Sequence, residues 1–378
     1  MEIGTDERVR TFVAYSPGTT RAEIGQQLRL AAPTVTSAVR RLLTTGDIVE
    51  DTGTGARQAP GRPSRLLRAP GPDPLLGLIH WQDGAAHISL LGFDGSVRLT
   101  IPLTEAASPA GTDDLDAAVT QLRHAAGKQP GTTLTAIVIS APAPLRHSTG
   151  GTGPAFAVSI TADLRHRLAR RHELPVLVEN DANLAALGEL HHGDPAARSG
   201  NFLYLAIGKR GFGAAIILGG TLVRGAHGYA GELAHLQIDT DGPLCACDGR
   251  GCLRSQIDSL VMDTAQAAFT RTIAFSDLAG LAVSGNAGAS RILHDIGRAL
   301  GRPLAHLCTF LDPERVIADT TIGPAIEPIV AGIREAFTTH APPVIARDVT
   351  ITLSRLGSAA ELRGALELPR ETARRPPV

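Results

Sequence analysis

Apolar positions change period several times along the chain, and each change marks an element. Between Thr20 and Glu50 the period is helical, predicting one helix over residues 21–30, a short break, and a second over about residues 33–43 that closes at Gly46. Val35, Val39, Leu42 and Leu43 share a face of the second helix, which turns Thr34, Thr36, Ser37, Arg40 and Arg41 away from the core. Two short helices this close predict a helix-turn-helix. A short strand, Ile48-Val49, a glycine turn at Gly53-Thr-Gly55 and a return over 61–67 then predict a two-stranded wing with Arg62 or Arg65 at its tip. The segment Arg68-Ala-Pro-Gly-Pro-Asp-Pro74 predicts a stiff connection. The expected domains are therefore residues 1–68, a linker over 69–74, and a body over 75–378.

In the body, strand-like and helical runs alternate, the pattern of an α/β domain. Runs at 75–79, 86–91 and 97–103 predict a meander with its second turn at Asp94-Gly95, followed by a helix near 113–126. A buried strand over 134–140, a helix over 162–172, a strand over 175–179 and a helix from Asp181 complete this cycle. A second cycle begins at 202–207 and 213–218 and later gives strands at 315–318 and 349–353. Periodicity shows the repetition of meander and crossover, but not the order of the strands.

With 378 residues, 43% of them hydrophobic, the chain has enough apolar mass for more than one core. No run approaches the ~18 apolar residues of a membrane helix, and the start carries Glu2, Asp6, Glu7 and Arg8, so a cytoplasmic protein is expected. The net charge of −1 hides a segregation: residues 20–68 hold eight arginines against four acids, so the remainder is net acidic. That excess changes the reading of the helix pair. Small hydroxyls at the front of the second helix suit base edges in a major groove, and its arginines suit phosphates. An arginine at the wing tip suits a narrow minor groove. A helical module whose solvated arginine face serves protein contacts is the alternative.

Three of the four cysteines fall within residues 245–252. The spacing His235-x9-Cys245-x-Cys247-x4-Cys252 matches a closed Cys3His shell for structural zinc, with no open position for catalysis. Reactive or merely buried thiols are the alternative. Cys308, in the apolar run 304–310, reads as core.

Arg21-Ala-Glu-Ile-Gly25, Pro33-Thr-Val-Thr36 and Gly61-Arg-Pro63 resemble the DNA-binding domain of ROK-family repressors. Gly228-Tyr-Ala-Gly-Glu-Leu-Ala-His235 and Cys245-Ala-Cys-Asp-Gly-Arg-Gly-Cys252 resemble the ROK signature. The resemblance implies an α/β fold: an N-terminal winged helix-turn-helix followed by a two-lobed actin-like ATPase body, sugar-kinase-like, over roughly residues 75–366. It also implies bound Zn2+, operator DNA as partner, a sugar or sugar-phosphate effector, and a homodimer or higher oligomer.

Within Glu179-Asn180-Asp181-Ala182-Asn183 the resemblance implies that Asn180 and Asp181 bond sugar hydroxyls, as does Glu232, with His235 near the sugar while also holding zinc. In kinase relatives the aspartate matching Asp181 is the general base. Capping of the following helix by Asn180 and Asp181 is the plainer alternative. Ala234 and Asp248 stand where the family usually has glycine, and Arg254 replaces a glutamate that contacts a sugar hydroxyl in sugar-binding relatives.

The phosphate machinery departs further. Ile79-His-Trp-Gln-Asp83 replaces the first glycine turn, and Asp319-Thr320 replaces a glycine pair on the adenosine side, while residues 208–213 keep their glycines. The loop Ser140-Ala-Pro-Ala-Pro-Leu145 departs from the family's Pro-Gly turn, and residues 147–153 yield no identifiable upstream sugar-binding asparagine. The expectation is a regulator of carbohydrate metabolism that has lost kinase activity. An active sugar kinase with a DNA-binding domain, and a regulator that binds no sugar, are the alternatives.

Overall fold

α1 (Thr5–Ala14), α2 (Arg21–Leu28) and α3 (Ala32–Thr45) pack their apolar faces together around Val9, Phe12, Ile24, Val35 and Val39 in the computed structural model. The structure describes residues 4–51, 65–82, 85–103, 112–142, 162–208, 211–269 and 273–374. Thr20 and Glu23 close a capping box at the start of α2, and Gly46, at φ 77°, ends α3 in the left-handed conformation that glycine adopts without strain. β1 (Val49–Asp51) and β2 (Leu66–Arg68) pair antiparallel beside the helices, completing a winged helix-turn-helix. The sequence reading did not include α1, although Val9, Phe12 and Val13 have helical spacing.

The body opens with β3 (Asp73–Gln82), two residues before its expected start at residue 75. β4 (Ala85–Gly92) and β5 (Val97–Pro102) continue the meander, and α4 (Thr112–Gly127) leads to β6 (Thr132–Ala141). α5 (Ala162–His172), β7 (Val176–Asn180) and α6 (Asp181–His192) finish the first cycle. The second starts with β8 (Phe202–Gly208), β9 (Gly211–Leu218) and β10 (Thr221–Leu222). α7 (Leu253–Phe269), α8 (Phe275–Val283) and α9 (Ala287–Leu311) precede β11 (Arg315–Ala318). α10 (Ile326–His340), α11 (Pro343–Asp348), β12 (Thr350–Leu353) and α12 (Ala359–Arg374) close the chain's described part.

The two sheets have one topology. Their orders are β5-β4-β3-β6-β7 and β10-β9-β8-β11-β12, each an antiparallel meander flanked by two parallel strands.

Each cycle then donates its last helix across the molecule. α6 lies against β8 and β9 of the second sheet, whereas α12 lies against β3 and β6 of the first. The exchanged helices cross with their backbones almost touching. A Cβ on Gly188 would stand 2.1 Å from the Ala360 carbonyl oxygen, and one on Gly364 would stand 1.6 Å from that of Leu184, so only glycine fits at either position. This crossing joins the lobes and leaves a cleft between them. α12 continues past it: Ala373, at its far end, is buried in the core of the winged helix-turn-helix.

Candidate functional site

The cleft holds a cavity of about 460 Å3. Asn180 and Asp181 reach it because β7 ends there and α6 begins, at the strand ends where an open α/β sheet gathers ligands. Asn180 caps α6, its Oδ1 accepting the Asn183 N–H at 3.1 Å. Asp181 Oδ1 accepts the adjacent Ala182 N–H at 2.8 Å. Glu232 and His235 line the facing wall, on a short turn pressed so closely to β9 that a Cβ on Gly231 would meet the Ala214 carbonyl at 2.5 Å. Burial, and then the charge of Asp181, push the Glu232 carboxyl up to about 7. Near neutral pH it therefore populates both a donor and an acceptor form, which suits a hydroxylated ligand.

The other side of the same cavity, where the resemblance implies the phosphate loops of a kinase, is built differently. β3–β4 and β8–β9 are matching hairpins, each with two residues between its last paired positions, Gln82↔Ala85 and Gly208↔Gly211. At the first hairpin Trp81 fills the cavity wall and His80 is buried, its Nε2 2.9 Å from Ser89 Oγ. At the second, Gly208, Gly211 and Gly213 leave the backbone bare. Beyond β11, the buried Asp319 carboxylate faces the cavity and accepts the Thr321 N–H at 2.9 Å and its hydroxyl at 2.7 Å. Burial pushes Asp319 upward, opposed by these hydrogen bonds.

Four donor atoms of His235, Cys245, Cys247 and Cys252 lie within 4.8 Å of one another. Cys245 Sγ is 3.5 Å from His235 Nδ1, and Cys247 Sγ is 3.5 Å from Cys252 Sγ. One soft imidazole and three thiols this close suit a divalent metal of the zinc type. Asp248 has φ 64°, the left-handed region, which accounts for the glycine usual at that place. His235 belongs to both sites, joining the metal loop to the cavity wall.

On α3, Thr34, Thr36, Ser37, Arg40 and Arg41 are all exposed, opposite the buried Val35, Ala38, Val39 and Leu42. Arg41 is held by a two-pronged pair with Asp6 at 2.6 and 2.7 Å, whereas Arg40 points outward on the same face. The wing tip itself, between residues 51 and 65, lies outside the described residues. Arg65 directly precedes β2 and pairs with Glu50, which also holds Arg21 at 3.2 Å. Arg62, Gly53-Thr-Gly55 and the loop 143–153 lie outside the described residues.

Sequence reasoning missed what links cavity and reading face. Gly357, Ser358, Glu361 and Leu362, at the start of α12, line the cavity. At its end, the buried Arg8 of α1 donates to the Ala373 carbonyl at 3.0 Å and to Leu28 at 2.9 Å, and Arg374 donates to Gln27 of α2 at 3.0 Å. Between them runs an ion-pair chain. Glu179 contacts Asn180 and Asn183 and accepts from Arg224 at 2.6 Å, and Arg224 reaches Glu371 of α12 at 3.0 Å. Partners separated by up to 365 positions leave no local pattern to read.

Residues 100–372 match the sequence profile of the ROK family. The chain belongs to the ROK family. It is 27% identical over 202 residues to a xylose repressor of Bacillus spizizenii, covering 53% of this chain and 52% of that protein. It is 29% identical over 227 residues to a glucokinase of Streptomyces coelicolor, covering 55% and 71%. The chain thus spans about half the length of the repressors it matches.

Among solved structures, a ROK family transcriptional regulator homologous to the Escherichia coli MLC protein superposes with a TM-score of 0.73 at 24% identity, covering 98% of this chain and 96% of that one. A ROK family glucokinase from Streptomyces griseus, solved with glucose and AMPPNP, gives 0.61 at 23%, covering 79% and 99%. The likeness to the regulator extends over the winged helix-turn-helix and the two-lobed body together, which is the shared fold.

Proposed function

We propose that this ROK protein is a DNA-binding transcriptional regulator of carbohydrate metabolism whose body senses a sugar and does not transfer phosphate. The observation that carries the reading is α12. Its 16 residues span about 24 Å, with one end in the cavity wall and the other in the core of the winged helix-turn-helix. A ligand that binds one arrangement of the lobes more tightly than another would shift that helix, and with it the DNA-reading state.

Asn180, Asp181, Glu232 and His235 supply the polar groups for sugar hydroxyls. Thr34, Thr36, Ser37 and Arg40 face a major groove, with Arg62 reserved for the wing and Arg41 and Arg65 secondary because each already holds a carboxylate. His235, Cys245, Cys247 and Cys252 would hold Zn2+, which supplies a closed structural knot rather than chemistry. The reading places the protein in the cytoplasm as a homodimer on paired half-sites; none of the described helices is long and apolar enough to cross a membrane. Against phosphoryl transfer stand Trp81 in the first hairpin and the Asp319 carboxylate on the nucleotide side.

Mobility-shift titration on an operator selected from randomised duplexes, with and without a panel of monosaccharides and their phosphates, tests the regulator reading. Arg40→Ala is expected to weaken binding and to lower the salt slope by about one unit. A second reading, an active kinase, is favoured by Asp181 facing the bare glycine hairpin. Steady sugar-dependent ATP turnover by the purified chain would establish it in place of the first.

A further inference from the structure

One cation interrupts the acidic lining of the cavity. Among its described lining residues, the carboxylates are Asp181, Glu232, Asp258, Asp319 and Glu361, and Arg254, at the start of α7, is the one arginine or lysine. Its place is built. The guanidinium lies against the β8–β9 hairpin, with Nη1 3.1 Å from where a Cβ on Gly211 would stand. Gly211 has φ 118°, so no side chain intervenes there.

The nearby carboxylates leave that cation a role. Asp319 is turned to its own Thr321, and Ser140 donates to Glu361 at 2.5 Å. Asp258 takes only Arg254 Nε, at 3.2 Å, in a partly exposed i,i+4 pair of the kind worth little in water. The guanidinium lines the cavity beside the glycine hairpin, and its fixed fork of N–H donors is the group that matches a phosphate or carboxylate. Arg254 lines the cavity with His235, whereas Asn180 and Asp181 line it from the start of α6. The cavity is thus polarised, with a cationic corner by the metal turn and a hydroxyl-accepting wall by α6.

We propose that Arg254 makes the ligand of this cavity an anionic sugar, with its phosphate or carboxylate on the guanidinium and its hydroxyls on Asn180, Asp181 and Glu232. Closing the lobes over a neutral sugar would desolvate the guanidinium with only one solvent-exposed partner, Asp258, whereas an anion offsets that cost directly. The inference rests on the sugar-sensing reading above and narrows it to one chemical class.

Titration calorimetry on the full chain decides it, using glucose, xylose and N-acetylglucosamine beside glucose 6-phosphate, glucose 1-phosphate, N-acetylglucosamine 6-phosphate, glucuronate and gluconate, with inorganic phosphate alone as a control. At least one anionic member should bind at least tenfold more tightly than its neutral parent. The phosphorylated and carboxylated arms distinguish the two sources of charge. Arg254→Ala should abolish the preference and Arg254→Glu should reverse it toward the neutral parent, in protein shown by circular dichroism and metal content to be folded. Neutral sugars that bind as tightly as every anionic derivative and release operator DNA would overturn the Arg254 inference and leave sugar sensing intact. A preference that survives both substitutions, or inorganic phosphate binding as tightly as any sugar, would also overturn it. If no member binds or changes operator affinity, both readings fall.

Discussion

The two lobes of the body are built to one plan and furnished differently. Each places an antiparallel meander beside two parallel strands, and each sends its last helix across to the other. Corresponding hairpins then diverge: β3–β4 presents Trp81 and buries His80 at the cavity, while β8–β9 presents glycines. Among the described residues, only the second lobe carries a cluster that could hold a metal ion, His235 with Cys245, Cys247 and Cys252. Architecture here depends on features spread over many positions, such as alternating apolar strands and a glycine-on-glycine helix crossing. Chemistry depends on single side chains, so it can be lost from one copy without disturbing the shape of either.

The metal loop offers the largest way to break the parallel. If it is a structural part of the second lobe alone, Cys247→Ser leaves an incomplete shell, and the variant should purify with little zinc and a clearly lower Tm. Structural zinc sites contribute about 10–16 kcal/mol of apparent binding free energy in small peptides; the large apolar core around β8 and α9 should spare part of that here. Metal analysis of reduced protein measures it. One zinc per chain in the variant, with an unchanged Tm, would remove the cluster from the account.

Trp81 tests the other side of the same comparison. It is buried in the first lobe's core, so Trp81→Ala should cost about 3–5 kcal/mol in chemical denaturation. Opening that hairpin should still yield no sugar-dependent ATP turnover, because the Asp319 carboxylate remains in the cavity wall. Turnover appearing in this variant would show that one bulky residue separates regulator from kinase.

The exchanged helices sharpen the comparison further, since they tie one lobe's contents to the other and, through α12, to the winged helix-turn-helix. Arg224→Met keeps the length of the side chain but removes the bridge from Glu179 to Glu371. The effect of a bound sugar on operator affinity, expected at about 1–3 kcal/mol in the wild type, should shrink or vanish. Paired titrations with and without ligand give the difference. A full response in the variant would assign the coupling to α12 packing alone.

How much of this was legible follows from how far apart the partners lie. The strands of both cycles and the metal cluster could be read because each is written within a few residues, as alternation or as cysteine spacing. The α3 face was legible for the same reason, with Val35 and Val39 buried and Thr34, Ser37 and Arg40 outside. α1 was overlooked because three charged residues in its first turns masked the spacing of Val9, Phe12 and Val13. The pairing of Arg65 with Glu50 was not legible, since nothing local signals it. The passage of α12 into the reading module, and its tie to Glu179 through Arg224, depend on side chains brought together only by the completed fold.

The smallest expected effect separates the two ends of the exchanged pair by pH. At the cavity end, the Glu232 carboxyl is raised to about 7 by burial and Asp181, so its neutral form is the one the fold favours. Its contribution to stability is complete below the ordinary carboxylate value and is lost as pH rises through about 7. At the reading-module end, burial holds His191 down to about 4, and its neutral Nε2 accepts from Arg374 Nη1 at 3.2 Å. That contribution is complete above about 6.5 and is lost as pH falls toward 4. Arg374 also bonds Gln27 and the buried Glu367, so protonating His191 turns an acceptor into a positive charge beside Arg374 at the joint between α12 and the winged helix-turn-helix. Thermal melts from pH 8 to pH 5 should therefore diverge in opposite senses. Glu232→Gln should gain on the wild type as pH rises, by a few degrees, and His191→Gln should gain on it as pH falls. Parallel curves for wild type and His191→Gln on the acid side would show that Arg374 holds the joint without help from the histidine.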